Sequence, residues 1–202
     1  ENAWFEQRMA GQKDKIDALF TEMRARIKEA DKSVPQKDGD WLYWIEFEEG
    51  AEYKKWWRKP VSGGPDELIL DEVALAEGKE YFRLGALAVS PDAAKLATLA
   101  DTDGSERFKL IVRDLATDKD IETVTEVGIG QPVWTSDSGG IVFTEVNDQW
   151  RSYRARYHRL GADAADAVTL YEEKDDIAFS VGVDRTTDRS LVVISTGNNS
   201  ST

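Results

Sequence analysis

Apolar positions along the chain come in short runs broken by tight polar turns. In residues 84 to 115, LGALAVSPDAAKLATLADTDGSERFKLIVRDL, the runs fall at 87 to 89, 95 to 100 and 108 to 113. Ser90-Pro91-Asp92 separates the first two runs. Proline fixes φ at the first corner and aspartate can hydrogen-bond to nearby backbone, so the segment predicts a tight hairpin. Asp101-Thr102-Asp103-Gly104 makes a second reversal, with Gly104 free to take positive φ. A meander of three such strands buries too little surface to stand alone, so a neighbour must stack on its face.

The same order of apolar run, polar turn and apolar run returns at 133 to 143 and at 181 to 194, and in altered form at Asp38-Gly39-Asp40 before 41 to 45. The turn aspartates Asp38, Asp92, Asp137 and Asp188 are 54, 45 and 51 residues apart, near the roughly 40 to 50 of propeller blades. The expected fold is therefore all-β, a partial β-propeller over 34 to 202. Its blades are expected near 38 to 80, 84 to 127, 131 to 176 and 178 to 202. The polar end from 195 to 202 is expected to stop inside a blade, leaving a strand edge unpaired.

Ahead of the blades the period changes. Ile16, Leu19, Phe20, Met23 and Ile27 recur every three or four residues, which predicts an amphipathic helix over 13 to 30 within a helical segment over 1 to 33. Residues 4 to 9 suggest a further helix, and Pro35 ends the helical pattern. Residues 41 to 47 and 52 to 58 read as a hairpin around Glu48-Glu49-Gly50-Ala51, followed by a loop over 60 to 65 and a strand over 67 to 71. Trp56 and Trp57 are expected to fill a gap between sheets. Residues 148 to 159, DQWRSYRARYHR, read as a strand of aromatic and basic residues, paired with carboxylates on adjacent strands, such as those in 171 to 176.

Composition narrows the function. A length of 202 residues, 41% hydrophobic content and seven Trp indicate a sizeable core. Thirty-nine acidic against 26 basic residues give a net charge of −13, which repels phosphate backbones and excludes nucleic acid as the expected partner, while attracting cationic peptides. With no Cys and one His, a structural zinc site is not expected, and a reducing compartment such as the cytoplasm is compatible. No apolar run reaches the ~18 residues of a membrane span, and the first residues lack the pattern of a signal peptide. Lacking an initiator Met, the chain is expected to be internal to a longer polypeptide.

Several stretches imitate catalytic sites. Ser136-Asp137-Ser138-Gly139-Gly140 looks like the surroundings of a nucleophilic serine, but the only base available, His158, follows it on a strand, so a blade hairpin is the expectation. Asp101-Thr102-Asp103-Gly104 begins like a calcium loop and lacks the later ligands. Glu48 and Glu49, like Glu172 and Glu173, are strand neighbours whose side chains would point to opposite faces. No G-x-S-x-G elbow and no glycine-rich phosphate loop is present.

The chain resembles the N-terminal half of the oligopeptidase B group in the prolyl oligopeptidase family of serine peptidases. The resemblance is carried by Glu1-Asn2-Ala3 before the helix, IKEADKSVP at 27 to 35, LAEG at 75 to 78, VSPD at 89 to 92, RDLAT at 113 to 117, YHRLG at 157 to 161 and YEE at 171 to 173. It implies a seven-bladed propeller, of which this chain supplies the first three to four blades. The remaining blades and an α/β-hydrolase domain bearing the Ser, Asp and His triad would lie downstream, with no catalytic residue, metal or cofactor in this stretch. It further implies cleavage of short peptides after Arg or Lys, a propeller that restricts entry, and a helical segment packed on the hydrolase domain. Arg151 is the candidate for a contact between the domains. The rival readings are a propeller that only binds, and a relative specific for proline or acylated N-termini.

Overall fold

The computed structural model describes residues 1 to 128, 130 to 198 and 200; of the polar end, Asn199, Ser201 and Thr202 lie outside the described residues. The chain divides into two compact units, Glu1–Val73 and Ala74–Thr202. In the first, α1 (Asn2–Met9) and α2 (Lys13–Arg24) are separated by one 3₁₀ turn, Ala10–Gln12. Strands β1 (Asp31–Lys32), β2 (Gln36–Asp38), β3 (Trp41–Phe47), β4 (Lys55–Pro60) and β5 (Glu67–Asp71) follow. They form one antiparallel sheet in the order β1-β3-β4-β5, with β2 also paired to β3.

The helix stops earlier than its apolar period, and the reason is local. After Arg24 the hydrogen bonds tighten to Arg26 N→Met23 O and Ile27 N→Arg24 O. Glu29 then bridges the Arg24 guanidinium and the Gly50 amide, which leads Asp31 and Lys32 into register with Phe47 and Glu46. Strand β4 begins at Lys55 rather than 52 because the turn closes by Ala51 N→Glu48 O. Trp56 donates to Glu72 at 2.6 Å, and burial pushes the Glu72 carboxyl up from its ordinary pKa despite that bond. The Trp57 indole nitrogen is buried.

Short α3 (Glu72–Ala76) is followed by β6 (Arg83–Val89), β7 (Lys95–Asp101), β8 (Phe108–Asp114) and β9 (Lys119–Val127). Then come β10 (Val133–Trp134), β11 (Gly140–Val146), β12 (Ser152–Arg159), β13 (Val168–Glu172), β14 (Ser180–Arg185) and β15 (Val192–Gly197). All pairings are antiparallel and consecutive, giving the meanders β6 to β9 and β10 to β13; a single register pair, Glu145↔Val127, joins the two. Strand β9 adds a fourth strand to the three apolar runs read from the sequence. Strand β12 starts at Ser152 and not at 148, because Asn147 Oδ1 takes the amides of Gln149 and Arg151 while Trp150 turns through φ 56°.

The first turn of each meander in the second unit is the same device. Ser90, Thr135 and Thr186 each hydrogen-bond through the amide to the carbonyl five residues on, at 2.9, 2.9 and 3.0 Å. Each hydroxyl accepts the returning amide of that residue and donates to the aspartate two residues on, Asp92, Asp137 or Asp188, at 2.5, 2.6 and 2.5 Å. The aspartate then accepts from Ala94, Gly139 or Ser190. The fourth residue, Ala93, Ser138 or Arg189, takes φ of 57°, 58° or 63°, a left-handed conformation unusual outside glycine and stabilised here by the surrounding bonds.

Two meanders stack face to face. Leu99, Phe108, Leu110, Val112, Val124 and Val127 of the first pack with Trp134, Ile141 and Phe143 of the second in one buried cluster. Alternation along β8 explains it, since Phe108, Leu110 and Val112 share one face. Polar ties cross the same seam: Trp134 Nε1→Ala88 O at 3.0 Å, Gln131 Nε2→Leu87 O at 2.6 Å and Asp92 N→Ser138 Oγ at 3.1 Å. Strand β14 packs in turn on β10, β11 and β12.

Two expectations follow. A Cβ on Gly85 would lie 2.5 Å from Phe108 Cε1, and Phe108 is fully buried and cannot yield. Gly85→Ala should cost about 1–3 kcal/mol by overpacking, and adding Phe108→Leu should restore part of it; denaturant midpoints of the four proteins check this. For Asp92, burial raises the carboxyl pKa, but bonds from Ser90, Ala94 and Lys95 outweigh it and hold the value at about 2, below the ordinary 3.8. A depressed pKa contributes stability above 3.8 that is lost as pH falls towards 2. The Tm of Asp92→Asn should therefore fall less steeply than wild type between pH 4 and 2, and equal slopes would refute the assignment.

Candidate functional site

The serine of the misleading motif serves the turn. Ser138 is buried at the left-handed position, its Oγ accepting the Asp92 amide from the neighbouring meander, and Asp137 is held below its ordinary pKa by the Thr135 hydroxyl and then the Gly139 amide. His158 is fully buried, with Nε2 3.3 Å from Glu122 Oε2, while the other Glu122 oxygen accepts from Gly161 N. That arrangement ties β12 to β9. Asp101, 1% exposed, accepts from the amides of Asp103 and Gly104 with one oxygen and of Glu106 with the other, so the loop is organised by a carboxylate. Among the described residues, no group of three or more His, Cys, Asp or Glu side chains is placed to hold a metal ion.

Glu48 carries an ion pair with Lys55 at 2.6 Å, and Glu173 accepts from Tyr171 at 2.8 Å and from the amides of Asp175 and Asp176. The basic strand is indeed ion-paired, but chiefly on its other side. Glu145 of β11 receives Arg154 through Nε at 2.7 Å and through Nη2, and Arg156 through Nη1 at 2.8 Å. Arg151 lies before that strand. Its Nη1 donates to the carbonyls of Asp176 and Phe179, both at 2.6 Å, which ties down the segment leading from β13 to β14.

The first unit leaves a set of large apolar side chains uncovered. Trp4, Phe5, Leu19, Phe20, Met23 and Ile27 are each 56–67% exposed, and no residue of α1 or α2 is buried. Phe20, Met23 and Ile27 border an open groove of about 990 Å³ whose opposite wall includes Phe47 and Ala51. Exposed apolar side chains grouped in this way are characteristic of interaction sites. Among the described residues, no helix is long and apolar enough to cross a membrane.

Antiparallel meanders stacked face to face and opened by a repeated hydroxyl–aspartate turn define a β-propeller domain. Residues 1 to 202 match the family described as "Prolyl oligopeptidase, N-terminal beta-propeller domain", and the chain belongs to that family. It is 31% identical, over 96% of its length, to dipeptidyl aminopeptidase BI of Pseudoxanthomonas mexicana, covering 29% of that protein. It is 26% identical to protease 2 of Moraxella lacunata, covering 87% of this chain and 27% of the relative. Among solved structures, oligopeptidase B of Trypanosoma brucei, in a closed form with covalently bound antipain, superposes with a TM-score of 0.87 at 28% identity, over 98% of this chain and 28% of that one. Oligopeptidase B of Leishmania major gives the same TM-score at 23% identity, over 96% and 28%. The chain thus spans less than a third of the length of these relatives.

Proposed function

We propose that this chain is the non-catalytic propeller portion of a serine oligopeptidase that hydrolyses short peptides after Arg or Lys, with the propeller controlling entry to an α/β-hydrolase triad elsewhere in the same polypeptide. The observation that carries this reading is the superposition on oligopeptidase B of Trypanosoma brucei over 98% of the chain. The net charge of −13 supports it, because an acidic field raises the local concentration of cationic peptides. A closed form among the relatives supports opening and closing as the step that admits substrate.

The test is hydrolysis of fluorogenic peptides by the full-length protein. Blocked peptides ending in Arg or Lys should be cut at least tenfold faster, by kcat/KM, than the matching Pro peptides; a preference for Pro would overturn the specificity. A dipeptide reporter with a free amino terminus belongs in the same panel, since one relative is named a dipeptidyl aminopeptidase. No cleavage of any of them would favour a propeller that only binds. Arg151 is assigned a contact between propeller and hydrolase domain that biases opening; within the propeller its Nη1 also holds the segment leading from β13 to β14. Activity against ionic strength should then differ between wild type and Arg151→Ala, and identical salt profiles would remove that role.

The exposed stripe of α2 is assigned to the hydrolase domain of the same polypeptide. Burying Leu19 and Ile27 there is worth roughly 1.5–3 kcal/mol each. Replacing both by Asp in the full-length protein should lower Tm by several degrees; an unchanged Tm would show that the face stays in solvent.

A further inference from the structure

Trp150 is 57% exposed, and yet it is held in place. It sits in the turn between β11 and β12, and its indole Nε1 donates at 2.7 Å to the carbonyl of Ser105, in the turn between β7 and β8. The Arg107 guanidinium lies over the ring, 5.3 Å from its centroid. That guanidinium is itself fixed by Glu126 at 2.8 Å and by the Asn147 carbonyl at 3.1 Å. The backbone is fixed as well. Trp150 takes φ 56°, its amide donates to Asn147 O at 3.1 Å, and the Asn147 amide donates to Arg151 O at 3.0 Å. A left-handed conformation is unfavourable for a side chain of this size.

Both turns join the second strand of a meander to the third, so they lie at one end of the second unit and the hydroxyl–aspartate turns lie at the other. Tyr81, 39% exposed, belongs to the Trp150 end, since a Cβ on Gly104 would lie 3.8 Å from its ring. The two rings form an aromatic rim. A side chain already immobilised loses little further freedom on docking, and tryptophan is enriched among the residues that carry binding energy in interfaces.

The occupant is set by size. An aromatic side chain buries roughly 150–250 Å², so the rim falls well short of the roughly 1,200 Å² that a stable contact between separate proteins needs. A domain tethered in the same polypeptide needs less, because its effective concentration is already high. This chain covers 29% of dipeptidyl aminopeptidase BI of Pseudoxanthomonas mexicana and 28% of oligopeptidase B of Trypanosoma brucei, so most of the length of those relatives lies outside the matched stretch.

We propose that Trp150, flanked by Tyr81, is the anchor on which the hydrolase domain of the same polypeptide seats at this end of the propeller. The proposal rests on the reading that such a domain shares the chain, and it adds the surface where the two meet. Arg151 follows directly in the chain, so its assigned role and the anchor belong to one contact.

The experiment is photo-cross-linking of the full-length protein carrying Asp148→p-benzoylphenylalanine; the Asp148 side chain is 98% exposed, and its ion pair with Arg107 spans 3.9 Å. A cross-link within one molecule to a peptide of the hydrolase domain is expected, read by mass spectrometry on the monomer. In that background Trp150→Ala should lower its yield at least threefold. Trp150→Phe loses the bond to Ser105 but keeps an aromatic face, and should retain at least half. Cross-links confined to the propeller, formed only between two copies, or absent would overturn the proposal. So would a yield that Trp150→Ala leaves unchanged, or an equal loss in both variants, which would mean that the indole only holds the turn. Failure to cleave peptides after Arg or Lys would leave these readouts untouched, so the two readings fail separately.

Discussion

Everything in the second unit depends on one short constraint: a hydroxyl and an aspartate, two residues apart, that close the turn between the first two strands of a blade. The hydroxyl of Ser90, Thr135 or Thr186 accepts the returning amide and donates a hydrogen bond to the aspartate, which in turn accepts the amide two residues beyond itself. Closing the turn sets strand register. Register in turn decides which side chains face the neighbouring blade, because a slip of one residue would turn the apolar set to the wrong side. With Ser90 paired to Lys95, the following strands place Leu99, Phe108 and Leu110 against Trp134, Ile141 and Phe143. In one instance the turn also acts beyond its own sheet, since the Asp92 amide donates to the Ser138 hydroxyl of the next turn.

That logic explains what could be read from the chain. Aspartates at 92, 137 and 188 were visible at a blade-like period, and the apolar runs around them located their hairpins. The hydroxyl partner at the start of each turn was equally present in the sequence, yet its role appears only when the three turns are laid over one another. Strand β9 carried a weaker signal: KDIETVTEV buries only Val124 and Val127, because an outer strand faces solvent along most of its length. The helix was legible from its period but not its end, which is set by a contact from Glu29 to Gly50 across 21 residues.

Ionic pairing was harder to read for a definite reason. A strand has two neighbours, and the composition of β12 says that it needs carboxylates without saying on which side. Glu145 is opposite Arg154 in the β11–β12 hairpin, while Glu172 is opposite it in β13. The structure gives the hydrogen bonds to Glu145. The tighter hairpin brings that carboxylate within bidentate reach, whereas a register shift between Ala155 and Arg156 disturbs the other side. His158 and Glu122 were less accessible still, 36 residues apart and in different blades. Serine, histidine and acid, met as letters, suggest chemistry; placed in the fold, they hold one sheet to the next.

A propeller of this kind separates two tasks within one chain. Turn hydroxyls, buried carboxylates and the histidine act along the seams, beside the apolar cluster that excludes water. Uncovered apolar surface lies instead on α2, in the first unit. It does not improve the stability of the unit that contains it. An exposed Phe lowers the free energy only when something else covers it. Along α2 the local rule of packing is therefore broken in the way that interaction sites break it.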